Sequence, residues 1–182
     1  IRSQIPENVC LVAVSKTKPK ELILEAYNLG QRHFGENKVQ EAINKWTNIK
    51  IKHDNIKLHL IGKLQTNKVK FALRIFDYIH SLDSEKLANK IADEQQKYKK
   101  KPKIFIQVNV GNEDQKSGID KRNLNDFYKF CKNLNLDIIG TMCIPPNDSY
   151  TEKYFSEMSD INKELNFKEL SMGMSGDYLE AI

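Results

Sequence analysis

The chain has 182 residues, of which 40% are hydrophobic and 29% are charged, and its formal net charge is +5 at pH 7. This length is typical of one domain, and the composition excludes a disordered chain and a collagen-like rod. No apolar run approaches the roughly 20 residues of a membrane helix, and residues 1–6 lack the basic flank and apolar core of a signal peptide. We therefore expect one soluble, cytoplasmic domain that spans residues 1–182.

The hydrophobic pattern alternates between strand-like and helix-like segments along the chain. The predicted strands are residues 9–14, 33–35, 58–61, 75–82, 104–110, 138–144 and 170–174. A segment with helical periodicity follows each strand, and the last helix is expected to start near Gly176. Because no two strands are joined by a hairpin turn, this order predicts parallel strands connected by helices.

Two α/β architectures fit this order, a TIM-type (β/α)8 barrel and a doubly wound open sheet. Seven consecutive units favour the barrel, because an open sheet of this size usually has five or six strands. The given chain stops in the helix after strand seven, so we expect the last strand of the barrel to be absent from it.

The basic residues are 25 lysines and only four arginines, with one dense run at residues 97–103. A basic run can bind phosphate backbones, but bidentate recognition of bases and phosphates favours arginine. A solvated helix end and loop is the simpler interpretation, and nucleic acid is not an expected partner.

Cysteines and histidines give no metal-site pattern. The three cysteines lie in apolar segments without a C-x-x-C motif, which predicts buried thiols in a reducing compartment: Cys10, Cys131 and Cys143. The four histidines lack metal-ligand spacing, so no zinc site is expected: His33, His53, His59 and His80.

In either architecture, ligands bind at the carboxyl ends of the strands. Lys16 directly follows strand one, where its side chain could point into the mouth of the barrel. A lysine kept away from water is neutral more of the time, and a neutral amine can form a Schiff base with an aldehyde. The alternative is a lysine that simply reaches the solvent.

Ser175 and Gly176 follow strand seven, at the predicted start of a helix. Backbone N–H groups there can bind a phosphate, although an N-cap serine followed by a turn glycine explains the same residues. Taken with Lys16, this pair suggests a phosphorylated aldehyde, of which pyridoxal 5'-phosphate (PLP) is the most common example.

Other strand-end residues have two interpretations each. Asn37 either caps helix two or binds a ligand hydroxyl, and the segment 65–67 either caps helix three or lines the mouth. Met142 is more typical of core than of a cofactor contact. The segment 116–118, with Lys116, Ser117 and Gly118, is either a turn or a phosphate contact.

Five motifs occur in the same order as in a known family. V-A-V-S-K-T-K-P at 12–19, H-F-G-E-N-K-V-Q-E at 33–41 and H-L-I-G-K-L-Q-T-N-K at 59–68 are followed by K-S-G at 116–118 and L-S-M-G-M-S at 170–175. Together they resemble the pyridoxal-phosphate homeostasis protein family, also called proline synthetase co-transcribed homologues.

The resemblance implies a fold, a cofactor and a set of binding residues. The fold would be an alanine-racemase-like barrel in single-domain form. Lys16 would carry PLP as a Schiff base, Asn37 would lie near the ring hydroxyl, and Met174, Ser175 and Gly176 would hold part of the phosphate. Met142 is included as a further candidate contact. Members of the family are thought to carry or buffer the cofactor, without turnover and without a metal.

The chain departs from the family at its ends. The family normally starts with another helix, and it ends with a strand and loop resembling V-R-I-G-[ST]-x-I-F-G, which this sequence does not contain. We therefore expect the chain to be incomplete at both ends.

A PLP-binding protein of intracellular PLP homeostasis is the leading hypothesis, with PLP-dependent apoenzymes as possible partners and a monomer or weak dimer as the assembly. A PLP-dependent amino-acid racemase is the main alternative, although racemisation needs an acid or base on each face of the cofactor. A Schiff-base aldolase and a nucleic-acid-binding protein are further alternatives.

Overall fold

The structure is a computed structural model that describes residues 2–113, 117–146, 148 and 150–182. Its seven strands form one parallel sheet in chain order: β1 (Ala13–Val14), β2 (His33–Glu36), β3 (Lys57–Leu60), β4 (Tyr78–Leu82), β5 (Lys103–Gln107), β6 (Asp137–Met142) and β7 (Glu169–Ser171). Because every crossover moves one strand in the same direction, the order is that of a TIM-type barrel, whereas a doubly wound sheet reverses direction part-way. This confirms the predicted fold class.

The α-helices of the described residues alternate with these strands. They are α1 (Lys20–Asn28), α2 (Val39–Lys52), α3 (Val69–Ile75), α4 (Glu85–Tyr98), α5 (Leu124–Asn133), α6 (Thr151–Glu164) and α7 (Tyr178–Ala181). None of these helices combines the length and apolar character that crossing a bilayer would require.

The main core lies between the strands and the surrounding helices. Phe34 of β2 packs on Trp46 of α2 with ring centroids 5.0 Å apart, and both side chains are fully buried. Successive strand residues point to opposite faces of a sheet. Since Phe34 faces the helices, its neighbours His33 and Gly35 face the interior of the curved sheet.

The two ends of the described chain approach each other. The Tyr178 hydroxyl of α7 donates a hydrogen bond to Gln4 Oε1, at 2.8 Å. Gln4 precedes β1, the first strand of the sheet, and Tyr178 follows β7, the last. A contact between them requires the sheet to curve round towards its starting edge.

Several predicted boundaries were wrong. The first strand was expected at residues 9–14 but contains only Ala13 and Val14, because Val9 N–H donates to Pro6 O in a turn and Cys10 is exposed. The last strand ends at Ser171 rather than at residue 174, since Gly173 adopts a positive φ of 87° that breaks the extended backbone.

Candidate functional site

Lys16 lies in a turn directly after β1. The turn is closed by the Lys18 N–H, which donates to Ser15 O at 3.1 Å, and Thr17 has a left-handed φ of 61°. Lys16 is exposed, so the expectation that burial shields its amine from water was wrong. The reason is that β1 ends at Val14, and the turn carries Lys16 beyond the edge of the strand.

A buried carboxylate holds the residue before Lys16. Glu36, the last residue of β2, is fully buried, and its Oε1 accepts hydrogen bonds from the Ser15 hydroxyl at 2.7 Å and the Trp46 indole at 2.9 Å. Lys45 Nζ donates to the same oxygen at 3.0 Å and to Ser15 O at 2.8 Å. Glu36 Oε2 is buried with no hydrogen-bond partner in the described part of the chain.

A second carboxylate on α2 holds the residue after Lys16. Glu41 Oε1 accepts from the Thr17 N–H at 2.6 Å and from Lys45 Nζ at 2.9 Å. The hydrogen bonds from Lys45 and Thr17 lower the pKa of Glu41. Burial alone would lower the pKa of Lys45, but its hydrogen bonds to Glu41 and Glu36 outweigh that effect and raise it. Both chain neighbours of Lys16 are therefore fixed to α2.

Sequence reasoning missed this support for Lys16. Glu41 and Lys45 are spaced i and i+4 on one helix, which is a common pairing distance, but their link to the first turn depends on β1 and β2 being neighbours. Glu36 could have indicated it, because a charged residue at the end of a short buried strand needs a hydrogen-bond or ionic partner.

Asn37 follows β2 at the same edge of the sheet. The N-cap of α2 is Lys38, with no capping hydrogen bond from its side chain, so of the two interpretations of Asn37 the structure contradicts the cap and leaves the ligand contact. A Cβ placed on Gly62, after β3, would lie 2.4 Å from the Asn37 carbonyl oxygen. The backbone after β3 therefore packs directly on Asn37.

The segment 65–67 does not cap α3 with its side chains either. Gln65 is the N-cap of a 3-10 turn over Thr66–Lys68, and Lys68 is the N-cap of α3. Neither residue makes a capping hydrogen bond through its side chain.

Met174, Ser175 and Gly176 form an exposed turn after β7. Asp177, not Ser175, is the N-cap of α7, and its side chain accepts from the Met174 N–H. The backbone N–H groups of Ser175 and Gly176 make no hydrogen bond to other described residues. A Cβ on Gly176 would meet nothing within 4 Å. The N–H groups of this turn are therefore not used by other described residues.

Met142 is the last residue of β6 and is only 5% exposed. It is in register with Gln107 of β5 and Ser171 of β7, as expected of a core residue at the carboxyl edge. Of the segment 116–118, Lys116 lies outside the described residues. Ser117 Oγ accepts from Lys63 Nζ at 3.2 Å, which joins the loops after β3 and β5.

Several lysines of the run 97–103 make contacts within the chain. Lys97 pairs with Glu94 at 3.5 Å, Lys100 donates to Arg74 O at 3.3 Å, and Lys101 donates to Asn135 Oδ1 at 2.9 Å. Burial also lowers the pKa of Lys100. These contacts fit a helix end and loop better than a phosphate-binding surface.

A cleft of about 980 Å³ lies between α6 and the segment after β5. Its lining includes Lys121, Glu157, Asp160 and Glu164 but none of the six predicted site residues. The polar groups that follow β1, β2 and β7 therefore belong to a different part of the surface.

Comparison with known proteins places the chain in a family. The profile described as "Alanine racemase, N-terminal domain" matches residues 1–182. The pyridoxal phosphate homeostasis protein of Pasteurella multocida is 40% identical over 189 residues, which cover 97% of this chain and 81% of that protein. The corresponding protein of Escherichia coli K12 is 33% identical over 192 residues, covering 97% and 80%. The chain belongs to the pyridoxal phosphate homeostasis protein family.

Solved structures agree with this assignment. PipY of Synechococcus elongatus PCC7942 without PLP has a TM-score of 0.92 and 38% identity, covering 99% of this chain and 88% of PipY. The structure of PipY with PLP bound has a TM-score of 0.88 and 37% identity over the same shares. Alanine racemase of Clostridium difficile 630, at 12% identity and a TM-score of 0.76, covers 97% of this chain and 48% of the racemase and shows likeness of fold alone. This member of the pyridoxal phosphate homeostasis protein family thus has the barrel fold that the racemases share.

Proposed function

We propose that this chain binds PLP through Lys16 and serves in intracellular PLP homeostasis as a carrier of the cofactor, not as a catalyst. One observation carries the proposal. PipY, with PLP bound in its structure, matches 99% of this chain at 37% identity, and this chain places an exposed primary amine in a firmly held turn after β1.

The donor set at the carboxyl edge suits a phosphorylated aldehyde. The Lys16 amine would condense with the aldehyde carbon of PLP, forming a C=N bond and releasing one water molecule. The free N–H groups of the Ser175–Gly176 turn, with the Ser175 hydroxyl, would bind the phosphate, and Met174 would flank it. Asn37 would supply a side-chain amide near the ring hydroxyl, and Met142 an apolar surface.

Exposure of Lys16 favours a carrier over a catalyst. Catalysis on PLP needs positioned acids or bases and exclusion of water, whereas transfer of the cofactor needs an accessible amine. In this proposal, PLP-dependent apoenzymes in the cytoplasm receive the cofactor from a monomer or weak dimer. Neither nucleic acid nor a membrane takes part.

Borohydride trapping tests the proposal directly. The full chain is incubated with PLP, reduced, digested and mapped, in parallel with Lys16→Ala and with Lys18→Ala as the matched control in the same turn. We expect a yellow protein with one pyridoxyl group on Lys16, loss of colour and label in Lys16→Ala, and retention of both in Lys18→Ala. Equal labelling of Lys16→Ala, or label spread over the surface lysines, would contradict the proposal.

Racemase activity is the alternative that the fold raises, since alanine racemases share the fold. Racemisation would require one acid or base on each face of the cofactor. Chiral chromatography of alanine incubated with the PLP-loaded chain decides between the two functions. We expect no change in enantiomer ratio, and stereoinversion that is lost in Lys16→Ala would establish the enzyme.

A further inference from the structure

A row of hydrogen bonds crosses the interior of the curved sheet, separate from the groups assigned to PLP. We call it the hydrogen-bonded row. His33 Nδ1 lies 2.9 Å from His59 Nε2, and His59 Nδ1 lies 2.8 Å from His80 Nε2. His80 Nδ1 in turn lies 2.7 Å from Ser171 Oγ. The row starts at His33, the first residue of β2, and ends at Ser171, the last residue of β7. It therefore runs from the amino edge of the sheet towards the carboxyl edge.

The surroundings of the hydrogen-bonded row keep its three histidines neutral. His59 and His80 are each 3% exposed, and the rings of Tyr78 and Phe105 stack on them with centroids 4.1 and 4.4 Å away. Burial lowers the pKa of His59 to about 2 and that of His80 to about 3. Burial and the nearby Lys57 also lower the pKa of His33. Each imidazole therefore has one N–H at neutral pH.

The spacing is that of hydrogen bonds, not of a metal site. Two nitrogens bound to one tetrahedral zinc at about 2.0 Å each stand about 3.3 Å apart, with the ion between them. Here the ring nitrogens face each other at 2.8 and 2.9 Å. Within the described ranges, no group of three or more His, Cys, Asp or Glu side chains is arranged to hold a metal ion.

Counting protons leaves two arrangements of the N–H and O–H protons along the hydrogen-bonded row. Each nitrogen–nitrogen contact holds one proton, and each neutral ring supplies one. If Ser171 donates to His80 Nδ1, all three histidines must carry their proton on Nε2. If His80 donates to Ser171 instead, all three must carry it on Nδ1, and the Ser171 hydroxyl proton is free to point elsewhere. No histidine can change its tautomer alone without breaking a hydrogen bond. In the joint change, Ser171 passes its hydroxyl proton to His80 Nδ1 and takes another from water, each Nε2 proton moves to the Nδ1 of the next ring, and His33 releases its Nε2 proton to water.

The two arrangements make the same three hydrogen bonds among the described residues and differ in which end is left over. In the first, the Ser171 hydroxyl has His80 Nδ1 as its acceptor, and the Nε2–H of the partly exposed His33 is left for water. In the second arrangement the hydroxyl proton needs an acceptor from outside, because no other acceptor for it is found among the described residues. Ser171 lies at the carboxyl edge, just before the turn of Met174, Ser175 and Gly176, where such an acceptor would be bound.

We propose that His33, His59, His80 and Ser171 switch together, so that Ser171 donates its hydroxyl proton to an acceptor oxygen of a molecule bound at the carboxyl edge. Ser171 is thereby a further positioning residue of the site, and the tautomer of His33 at the opposite edge reports its state. The identity of the bound molecule rests on the proposed function, in which PLP supplies the phosphate and ring oxygens. The coupling among the histidines does not depend on it.

Histidine tautomers are measurable by long-range ¹H–¹⁵N correlation spectra of the labelled full chain at neutral pH. His53 is the internal control, because its ring packs on Tyr27 outside the hydrogen-bonded row. Without ligand, we expect all three histidines of the hydrogen-bonded row to populate the Nε2-protonated form, alone or in joint exchange with the Nδ1-protonated form. With PLP bound, as checked by absorbance, we expect all three on Nδ1 and His53 unchanged. Tautomers that differ among the three rings in either state, or bound PLP with unchanged histidines, would overturn the proposal.

Two serine variants separate coupling from general effects of ligand binding. Ser171→Ala removes the last member of the hydrogen-bonded row, whereas Ser81→Ala removes a buried hydroxyl of β4 that donates to Gly62 O at 2.8 Å. We expect the PLP-induced change at His33 to be lost in Ser171→Ala and kept in Ser81→Ala and Ser171→Thr. A change at His33 that persists in Ser171→Ala refutes the switch. If no PLP binds to the wild type, the proposed function is wrong, and tautomers that differ among the three rings in the ligand-free protein would refute the coupling separately.

Discussion

The imidazole of His80 and the hydroxyl of Ser171 are joined across the inside of the sheet at 2.7 Å, although β4 and β7 are separated by two strands. Adjacent strands lie about 4.8 Å apart, so side chains three strands apart in a flat sheet cannot touch. The contact therefore requires strong curvature, which buries polar side chains between strands as well as apolar ones between strands and helices. This buried polar interior determines how the protein responds to acid.

We predict that the free energy of unfolding falls steeply below pH 6.5. The folded-state pKa values of His59 and His80 are about 2 and about 3, whereas their ordinary value is 6.5. At pH values between the folded-state and the ordinary pKa, the unfolded chain binds more protons than the folded chain. The stabilising contribution of the two neutral rings is therefore complete above pH 6.5 and is lost as the pH falls. The loss at pH 5 is roughly 2 kcal/mol for each histidine taken separately.

Urea unfolding at pH 7.5 and pH 5 measures this loss. Most carboxylates are still ionised at pH 5, so the histidines dominate the difference. His80→Gln should reduce the dependence on pH, while His53→Gln should leave it unchanged. Equal stability of the wild type at both pH values would show that the two rings are not buried as neutral groups.

The sequence was sufficient to predict the parallel order of the strands, because strand-like and helix-like segments alternate and no hairpin turn interrupts them. It also predicted that the segments around Lys16, Asn37 and Ser175 lie at one edge, since every parallel strand ends there. These conclusions depend only on local periodicity and on the handedness of the crossovers.

The hydrogen bonds within the interior could not be predicted in the same way. The histidines were set aside because their spacing does not suit a metal, yet His33, His59 and His80 each lie in a short strand, on its interior face. Their contacts depend on the stagger between strands and on the curvature of the sheet, which no single segment encodes. The exposure of Lys16 was missed because the length of β1 was overestimated.

We predict that Lys45→Met lowers the free energy of unfolding by about 3 kcal/mol. The variant leaves the Glu36 carboxylate, which is fully buried, without its charged partner, and breaking one side of a buried pair is costly. Glu36→Gln in the Lys45→Met background should recover part of the loss, because the remaining buried group is then neutral. Urea unfolding of the wild type, both single variants and the double variant gives the coupling energy. Strictly additive effects would mean that the pair does not interact.

We predict that Gly62→Ala destabilises the fold by about 2 kcal/mol, since the new Cβ would lie 2.4 Å from the Asn37 backbone and the two loops must separate. Gly176→Ala is the matched control, because nothing lies within 4 Å of its Cβ. Its stability should change by less than about 0.5 kcal/mol. Thermal unfolding of both variants is the measurement, and similar stabilities for the two would rule out the close packing of Gly62 on Asn37.

We predict that Thr17→Asn stabilises the protein by about 1 kcal/mol. Thr17 is β-branched and has a φ of 61°, a left-handed conformation that asparagine tolerates much better. The N–H that donates to Glu41 belongs to the backbone, so the variant keeps the hydrogen bond that holds the turn around Lys16. Thr47→Asn on the exposed face of α2 is the control, because its backbone is helical and no strain is relieved there. The measurement is the midpoint of urea unfolding. If both variants shift it by the same amount, the left-handed residue beside Lys16 stores no strain.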